Sequence, residues 1–403
     1  MRQSPFAGPT DPLERVSQSP TDPGFVQDPY AFYDRARALG DMVWWDDYDL
    51  PVAVSHAAVS AILKDRRLGR EPLTPPAVPP HLRNFYGVEA HSMLELEPPR
   101  HTRLRSLVLR AFTSRRIKAL APEIETLCHE LIDAFPDTGF DLLPAYAAQV
   151  PVIVIARLLG VPEFMAPQLL AWSNAMVSMY QARRTREIEV AADTAARDFT
   201  DFLRGYIDDR RAVPADDLIT HLIAAEEAGE KLSTDELITT CILLLNAGHE
   251  ATVHTIGNGV KLLLETATPT SALAPDTIEG TVEEILRHDP PLHMFTRHVF
   301  KDMALFGQDF QRGDEIGCLL GAANRDPAIW PDPARFDPAR PITTNTSFGA
   351  GLHFCVGAPL ARLELQIALP ALFQRCPNLA LAEPPEYANL YHFHGLSRLL
   401  VTR

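Results

Sequence analysis

The stretch from Ser233 to about Glu265 constrains this chain more than any other. Ser233, followed three residues later by Glu236, has the spacing of a capping box, in which the hydroxyl and the carboxylate each satisfy a backbone N–H at a helix start. The pattern then runs for about thirty residues, or ~45 Å at 1.5 Å per residue, so this helix must cross a whole domain. Leu237, Cys241, Leu244, Gly248, Ala251 and Thr255 alternate steps of four and three and share a face. That face is apolar at its start and small at Gly248 and Ala251, which suits either tight helix packing or a bulky group lying close to the backbone.

The rest of the chain reads as helical around it. Ala121–Ala134, Gln149–Leu159, Ile188–Arg211 and Asp216–Ala228 carry apolar residues at helix spacing. Strand signals are short: Val43–Val54, Met303–Leu320 and Leu396–Val401. Proline, 35 of 403 residues, punctuates these segments at 1–29, 71–80, 269–291 and 327–341. The expected fold is mostly α with a small β portion, a single domain over 28–403 behind a Pro-rich extension, 1–27. With 37 Lys plus Arg against 52 Asp plus Glu, the net charge of −15 disfavours nucleic acid and anionic lipid as partners. The five cysteines are scattered without a CxxC pair, which argues against a disulfide framework and a zinc ribbon and fits a reducing cytoplasm. No apolar run approaches a membrane span, and no signal peptide or anchor is expected.

Chemistry concentrates in Ser347-Phe348-Gly349-Ala350-Gly351-Leu352-His353-Phe354-Cys355-Val356-Gly357-Ala358-Pro359, which opens a helical pattern over Leu360–Arg375. A cysteine in a Gly-rich turn at a helix start has backbone N–H groups and the positive helix end near its sulfur, and both favour thiolate. Cys355 is thus a candidate axial ligand for iron, since a thiolate donates electron density that favours O–O cleavage in haem. A buried structural cysteine is the plainer reading of such a residue taken alone.

The whole pattern Phe348-x-x-Gly351-x-x-x-Cys355-x-Gly357 resembles the haem-binding loop of cytochromes P450. Other segments agree in order, over roughly residues 28–401. Glu284-Ile285-Leu286-Arg287 resembles the family's ExxR helix, and Pro333-Ala334-Arg335-Phe336 resembles the segment whose arginine completes a Glu-Arg-Arg brace. Glu97 to Arg105 resembles the start of the family's C helix. The resemblance implies haem b (iron protoporphyrin IX), ligated by Cys355 and cradled by Phe348 and Gly248. It also implies His101, Arg105, Arg297 and His353 as propionate partners, because buried propionates need charge-assisted hydrogen bonds.

By the same resemblance, the long helix is the distal I helix, with Ala247-Gly248-His249-Glu250-Ala251-Thr252 over the oxygen-binding face. His249-Glu250-x-x-x-His254 is not expected to bind zinc, because a step of five turns the second histidine ~100° off the shared face. The chain departs from the family at Ala251, where a threonine normally follows the acid; its hydroxyl comes one residue later, at Thr252. Glu250, Ala251 and Thr252 are therefore the positions that bear on proton delivery. The resemblance also places Leu243, Asn246 and Ala247, Leu292 and Phe295, and Phe393 around the pocket, with Phe85, Tyr86 and Val88 in the variable loop before the C helix and Met176 and Met179 in the region of the F helix. Plain core packing is an equal reading for each. Asn246 stands out because an amide on a buried apolar face needs a partner.

These readings converge on a monomeric haem-thiolate monooxygenase that inserts one atom of O2 into a small to medium, largely apolar organic molecule. With no nucleotide-binding turn or Cys-rich cluster in the chain, electrons are expected from a separate ferredoxin-type donor. Arg100, Arg103, Arg110 and Arg362 are expected to form its docking patch. Two rivals remain at this level. One is a haem-thiolate enzyme that uses peroxide or catalyses coupling or rearrangement; the other is a haem-based sensor or binding protein.

Overall fold

A computed structural model describes residues 12–403 apart from 76, 183, 228 and 229, and about 54% of it is helical, beside a small sheet portion. The long helix spans Thr234–Glu265. Its capping box is formed: the Glu236 N–H donates to the Ser233 hydroxyl at 3.2 Å, and the Ser233 N–H donates to the Glu236 carboxylate at 2.9 Å. The helix packs against Gln149–Leu159, Ala166–Val177, Arg186–Ala212, Ile278–His288 and Ala358–Arg375. Leu237, Cys241, Leu245, Ile256, Val260 and Leu263 are all buried in the same core, so tertiary burial rather than helix propensity holds so long an element together.

The helix expected over Asp216–Ala228 is shorter, Leu218–Ala224. The Asp217 carboxylate accepts the Thr220 N–H at 2.8 Å and so caps the helix instead of extending it. Strands gather to one side in a six-stranded sheet, ordered Arg15–Val16, Met42–Trp45, Leu50–Ala53, Glu315–Leu319, Met294–Val299, Leu68–Gly69. Glu315–Leu319 pairs antiparallel with Met294–Val299, from Glu315 opposite His298 to Leu319 opposite Met294. This register carries Phe295 and Arg297 away from the Pro-rich turn that follows the helix Ile278–His288.

Residues 1–11 of the expected extension lie outside the described residues. From residue 12 on, the segment is part of the fold. Arg15–Val16 pairs in parallel with Trp44–Trp45, and Phe25 is buried against the rings of Phe32, Tyr33, Trp45 and Tyr391. An aromatic side chain of this size contributes mainly by the area that it removes from water, so the described part of 1–27 adds to the core beside Trp45 and Tyr391.

Candidate active site

Two glycines shape the cysteine loop. Gly349 and Gly351 adopt φ of +67° and +69°, which L-residues rarely do. A Cβ on Gly351 would also lie 2.4 Å from the Leu63 carbonyl oxygen. The Cys355 N–H donates to the Phe348 carbonyl at 3.0 Å and closes the turn, and the helix Ala358–Arg375 follows. Burial pushes the Cys355 thiol up from its ordinary value, while the N–H groups of Gly357 and Ala358, Arg105 and Arg362 act the other way. The expected donors are thus directed at the sulfur, but burial outweighs them. The loop alone does not make a thiolate, and a bound cation is what would favour one.

The basic residues expected around a propionate-bearing cofactor are close to this loop. Arg105 donates to the Phe354 carbonyl at 2.6 Å, and the His101 and His353 rings lie 4.4 Å apart. His101 is buried, and its Nδ1 has no hydrogen-bond partner among the described residues. Burial first, then His353 and Arg105, lowers its pKa to about 4, so its imidazole is neutral. His353 is held differently, with Nε2 at 2.9 Å from the Glu97 carboxylate. Arg297 is buried and pushed down to about 10, chiefly by burial and then by Arg70; among the described residues no carboxylate forms an ion pair with it.

Arg70, which the sequence reading missed, joins the set. It donates to Glu95 at 2.6 Å, lies over the Phe295 ring at 5.7 Å, and leaves its buried Nε without a partner among the described residues. The only trace of it in sequence is the basic run Arg66-Arg67-Leu68-Gly69-Arg70, which has no motif spacing. A cysteine under two N–H groups, a buried imidazole nitrogen without a partner, and arginines in excess of their carboxylates all fit a large anionic cofactor with a metal centre. Haem matches this donor set.

Behind the loop, Glu284 and Arg287 form a buried bidentate pair, with both N···O distances 2.7 Å. Arg287 also donates to the carbonyls of Asn324 and Pro333, at 3.1 and 2.8 Å. The third member of this brace is not Arg335. That side chain is two-thirds exposed and faces Asp337, and only its carbonyl joins in, accepting from Arg287 at 3.3 Å. The guanidinium that reaches Glu284 belongs to Arg340, at 3.3 Å. The turn after Arg335 brings Asp337 back to donate its N–H to Glu284 at 2.9 Å, so the next arginine along the chain faces the pair.

On the long helix, Leu243, Ala247 and Ala251 recur every four residues and mark one stripe. Ala247 is exposed and the other two are half-buried, on a helix otherwise mostly buried. Gly248 faces Ile155, where a Cβ would sit at 3.7 Å, an ordinary contact. Its carbonyl accepts the Thr252 hydroxyl at 3.2 Å, so that hydroxyl is spent within its own helix. Glu250 is clamped by two histidines, His249 Nε2 and His254 Nε2, each at 3.3 Å from one of its oxygens. Burial would raise the Glu250 carboxyl, but these histidines hold it well below the usual range. His249 Nε2 also lies 3.1 Å from the Asn174 side-chain oxygen, and Asn174 is exposed.

The expected pocket residues fall into two groups. Leu292 bridges Phe393, the Phe393 ring lies 6.1 Å from His254, and a Cβ on Gly349 would touch Phe295 at 3.5 Å. These contacts link the cysteine loop to Glu250 through the strand and the C-terminal turn. Asn246 donates weakly to the Met176 sulfur at 3.8 Å, and its buried Oδ1 has no partner among the described residues. Phe85 belongs to the core, packed on Tyr86 and Tyr180 with its N–H bound by Asp193; Val88, Met176 and Met179 are buried there too.

The sequence model of the cytochrome P450 family matches residues 277–385. The chain is 37% identical over 381 residues to the cytochrome P450 monooxygenase PikC of Streptomyces venezuelae, covering 90% of this chain and 87% of that one. It is 34% identical over 394 residues to the biotin biosynthesis cytochrome P450 of Bacillus subtilis (strain 168), covering 96% and 99%. Among solved structures, P450BioI in complex with hexadec-9Z-enoic acid ligated acyl carrier protein superposes with a TM-score of 0.90 at 34% identity, over 95% of this chain and all of that one. PksS, the Bacillus subtilis 168 bacillaene polyketide synthase P450, gives 0.86 at 34% identity, over 96% and 99%. The cysteine loop, its buried brace and the fold around them thus have one common explanation: this chain belongs to the cytochrome P450 family and is a monooxygenase of that family.

Proposed function

We propose that this enzyme inserts one atom of O2 into a largely aliphatic, small to medium organic molecule, with haem b held by Cys355 and electrons supplied by a separate ferredoxin-type protein. The observation that carries the reading is the cysteine loop: Cys355 beneath the N–H groups of Gly357 and Ala358, together with buried nitrogens of His101 and Arg70 that have no partner among the described residues. Bound there, a thiolate-ligated haem supplies O2 activation and O–O cleavage. His101, Arg105, Arg297 and Arg70 are the groups that would hold its carboxylates.

The protein's own part in the chemistry is to exclude water, orient substrate and manage protons. The stripe Leu243, Ala247, Ala251 offers substrate an apolar wall with one polar mark, the Asn246 amide. Relatives named for polyketide and biotin biosynthesis, and a relative captured with an acyl chain on its carrier, agree with a long-chain acyl or polyketide-like substrate. With Ala251 lacking a hydroxyl and Thr252 bonded to Gly248, Glu250 is the group through which protons would pass, a carboxylate that accepts a proton at one of the oxygens facing His249 and His254 and hands it on. Substrate-dependent uptake of 18O2 with one labelled oxygen in the product tests the reading. An unlabelled product, or no oxygen uptake with any bound ligand, would overturn it.

The donor patch needs revision at two positions. Arg103 pairs with Glu236, and Arg362 pairs with Glu283 while lying over the Phe348 ring at 4.5 Å. Arg100 and Arg110 are solvent-exposed, and Lys64, also exposed, abuts Gly351 of the cysteine loop. Leu109 and Phe354 are exposed apolar side chains, and Arg105, one helical turn before Leu109, donates to the Phe354 carbonyl. A second reading, direct use of peroxide, is favoured by the Thr252–Gly248 bond, because such a reaction needs less proton delivery from the protein. Equal turnover with peroxide and with a ferredoxin system would support it. Consistent with the acidic composition and with the finding that no described helix is long and apolar enough to cross a membrane, a monomer acting in the cytoplasm is the proposed setting.

A further inference from the structure

Away from the cysteine loop, three chain segments meet at a cluster of ionisable groups that the proposed chemistry does not use. Asp289 ends the helix Ile278–His288, His293 opens the strand region after it, and His394 lies in the C-terminal turn. All three side chains are buried, and one donor atom from each lies within 4.8 Å of the others. Among the described residues no other such set occurs.

The hydrogen-bond arrangement leaves a gap between acceptors. Asp289 Oδ1 accepts from the Tyr30 hydroxyl and from His394 Nδ1, both at 2.8 Å, and Oδ2 accepts from the Tyr387 hydroxyl. His293 Nδ1 lies 2.8 Å from the Tyr33 hydroxyl, which lies 3.0 Å from the Tyr391 hydroxyl. The tyrosine chain can run either way; run from His293 Nδ1–H to Tyr33 to Tyr391, it leaves the lone pair on His293 Nε2. That atom is buried, has no partner among the described residues, and faces Asp289 Oδ1 across 4.0 Å. A lone pair opposite a carboxylate oxygen in a dry site is repulsive unless a cation lies between them. Tetrahedral ligands at the usual ~2.0–2.1 Å from zinc stand ~3.3–3.4 Å apart, so the 4.0 Å gap has to close, and the 2.8 Å His394–Asp289 contact has to open, by about 0.6 Å each to seat the ion.

We propose that Asp289 Oδ1, His293 Nε2 and His394 Nδ1 bind one zinc ion. His394 would move its proton from Nδ1 to Nε2 on binding, and Tyr30 or Tyr387, already at the carboxylate, would complete the shell as a phenolate after losing one proton to solvent. The charges suit this: carboxylate and phenolate balance a divalent cation beside two neutral imidazoles. The second nitrogen of His293 is oriented by Tyr33, as outer-shell groups orient zinc-binding histidines. Because Leu292 and Phe393 are neighbours of His293 and His394, the ion would pin the C-terminal turn to the end of the ExxR helix and set the pocket wall that they form.

The test uses haem-loaded protein, stripped with a chelator, equilibrated with zinc and passed through a desalting column. Elemental analysis should find about one zinc per chain, and Asp289→Asn and His293→Gln should each lower that content at least tenfold. Far-UV circular dichroism and haem content report whether each variant is folded. Should a variant fail to fold, anomalous scattering at the zinc edge from wild-type crystals decides, with a peak expected among the three named atoms. Less than about a tenth of an equivalent retained by wild type, unchanged zinc in folded variants, or a scattering peak elsewhere would each overturn the proposal.

Discussion

At the scale of single residues, the hydroxyl of Thr252 and the methyl of Ala251 pose the sharpest question. Thr252 bonds the carbonyl one turn back, which is what a serine or threonine facing its own helix tends to do. Thr252→Ala should therefore change the fraction of electrons recovered in product very little. Glu250→Gln removes the carboxylate that His249 and His254 hold, and should slow product formation by roughly 10²-fold, the lower end for a lost acid–base group. Product formed per NADH consumed, with peroxide release alongside, separates the outcomes; diversion of most electrons to peroxide by Thr252→Ala would make its hydroxyl the proton donor after all. Cys355 allows a second test at this scale. The reduced protein with carbon monoxide should show the red-shifted absorption band of thiolate ligation, and Cys355→His should lose it. A normal band in that variant would place the ligand elsewhere.

At the scale of elements, the helix Ile278–His288 and the segment 331–341 lock together through one buried carboxylate. Removing Arg287 takes the bidentate partner from a buried carboxylate and leaves it only the longer contact to Arg340 and the Asp337 N–H, so Arg287→Ala should cost about 3 kcal/mol, the lower end for a broken buried pair, and yield mostly protein without haem. Arg340→Ala should weaken the same brace, whereas Arg335→Ala, on a two-thirds exposed side chain, should stay within ~0.5 kcal/mol. Melting curves of the three variants decide the assignment, and an Arg335→Ala effect as large as that of Arg287→Ala would contradict it. The ExxR spacing was legible because i and i+3 share a helix face; the identity of the third arginine was not, because it depends on a turn whose path no periodicity encodes. His288, on the same helix, adds a pH signature. Burial first, then Arg325, lowers its pKa to about 3, so the folded protein holds it neutral while the unfolded chain protonates it near 6.5. Its contribution is fully present above about pH 6.5 and is lost as pH falls toward about 3. His288→Gln should flatten the decline of melting temperature between pH 6.5 and 4, and an unchanged slope would show that the group does not titrate on unfolding.

At the scale of the whole molecule, what the sequence made legible is what local rules govern: the capped long helix, the glycine-dependent turn at Cys355, the helical majority. Arg70, the Glu250 clamp and the tying of Arg103 and Arg362 into internal pairs were hidden, because each joins residues distant in sequence through side chains with no fixed spacing. The last of these changes how an acidic protein can receive an electron donor. With net charge −15, long-range attraction to an acidic ferredoxin has to come from a local surface, and arginines already neutralised by Glu236 and Glu283 contribute little to it. The exposed cations Lys64 and Arg100, with the exposed Phe354 and Leu109, are the better candidates. Rim charges act mainly on encounter rate, and their reach falls from ~10 Å at 0.1 M salt to ~3 Å at 1 M. Reduction by an acidic ferredoxin should accordingly slow as salt rises. Lys64→Glu combined with Arg100→Glu should lower the second-order rate about tenfold at low salt, within the range for electrostatic steering, and make it less salt-dependent, with substrate binding unchanged. Stopped-flow reduction across a salt series reads this directly. A rate indifferent to salt, or one equally impaired at high salt, would place the docking face elsewhere.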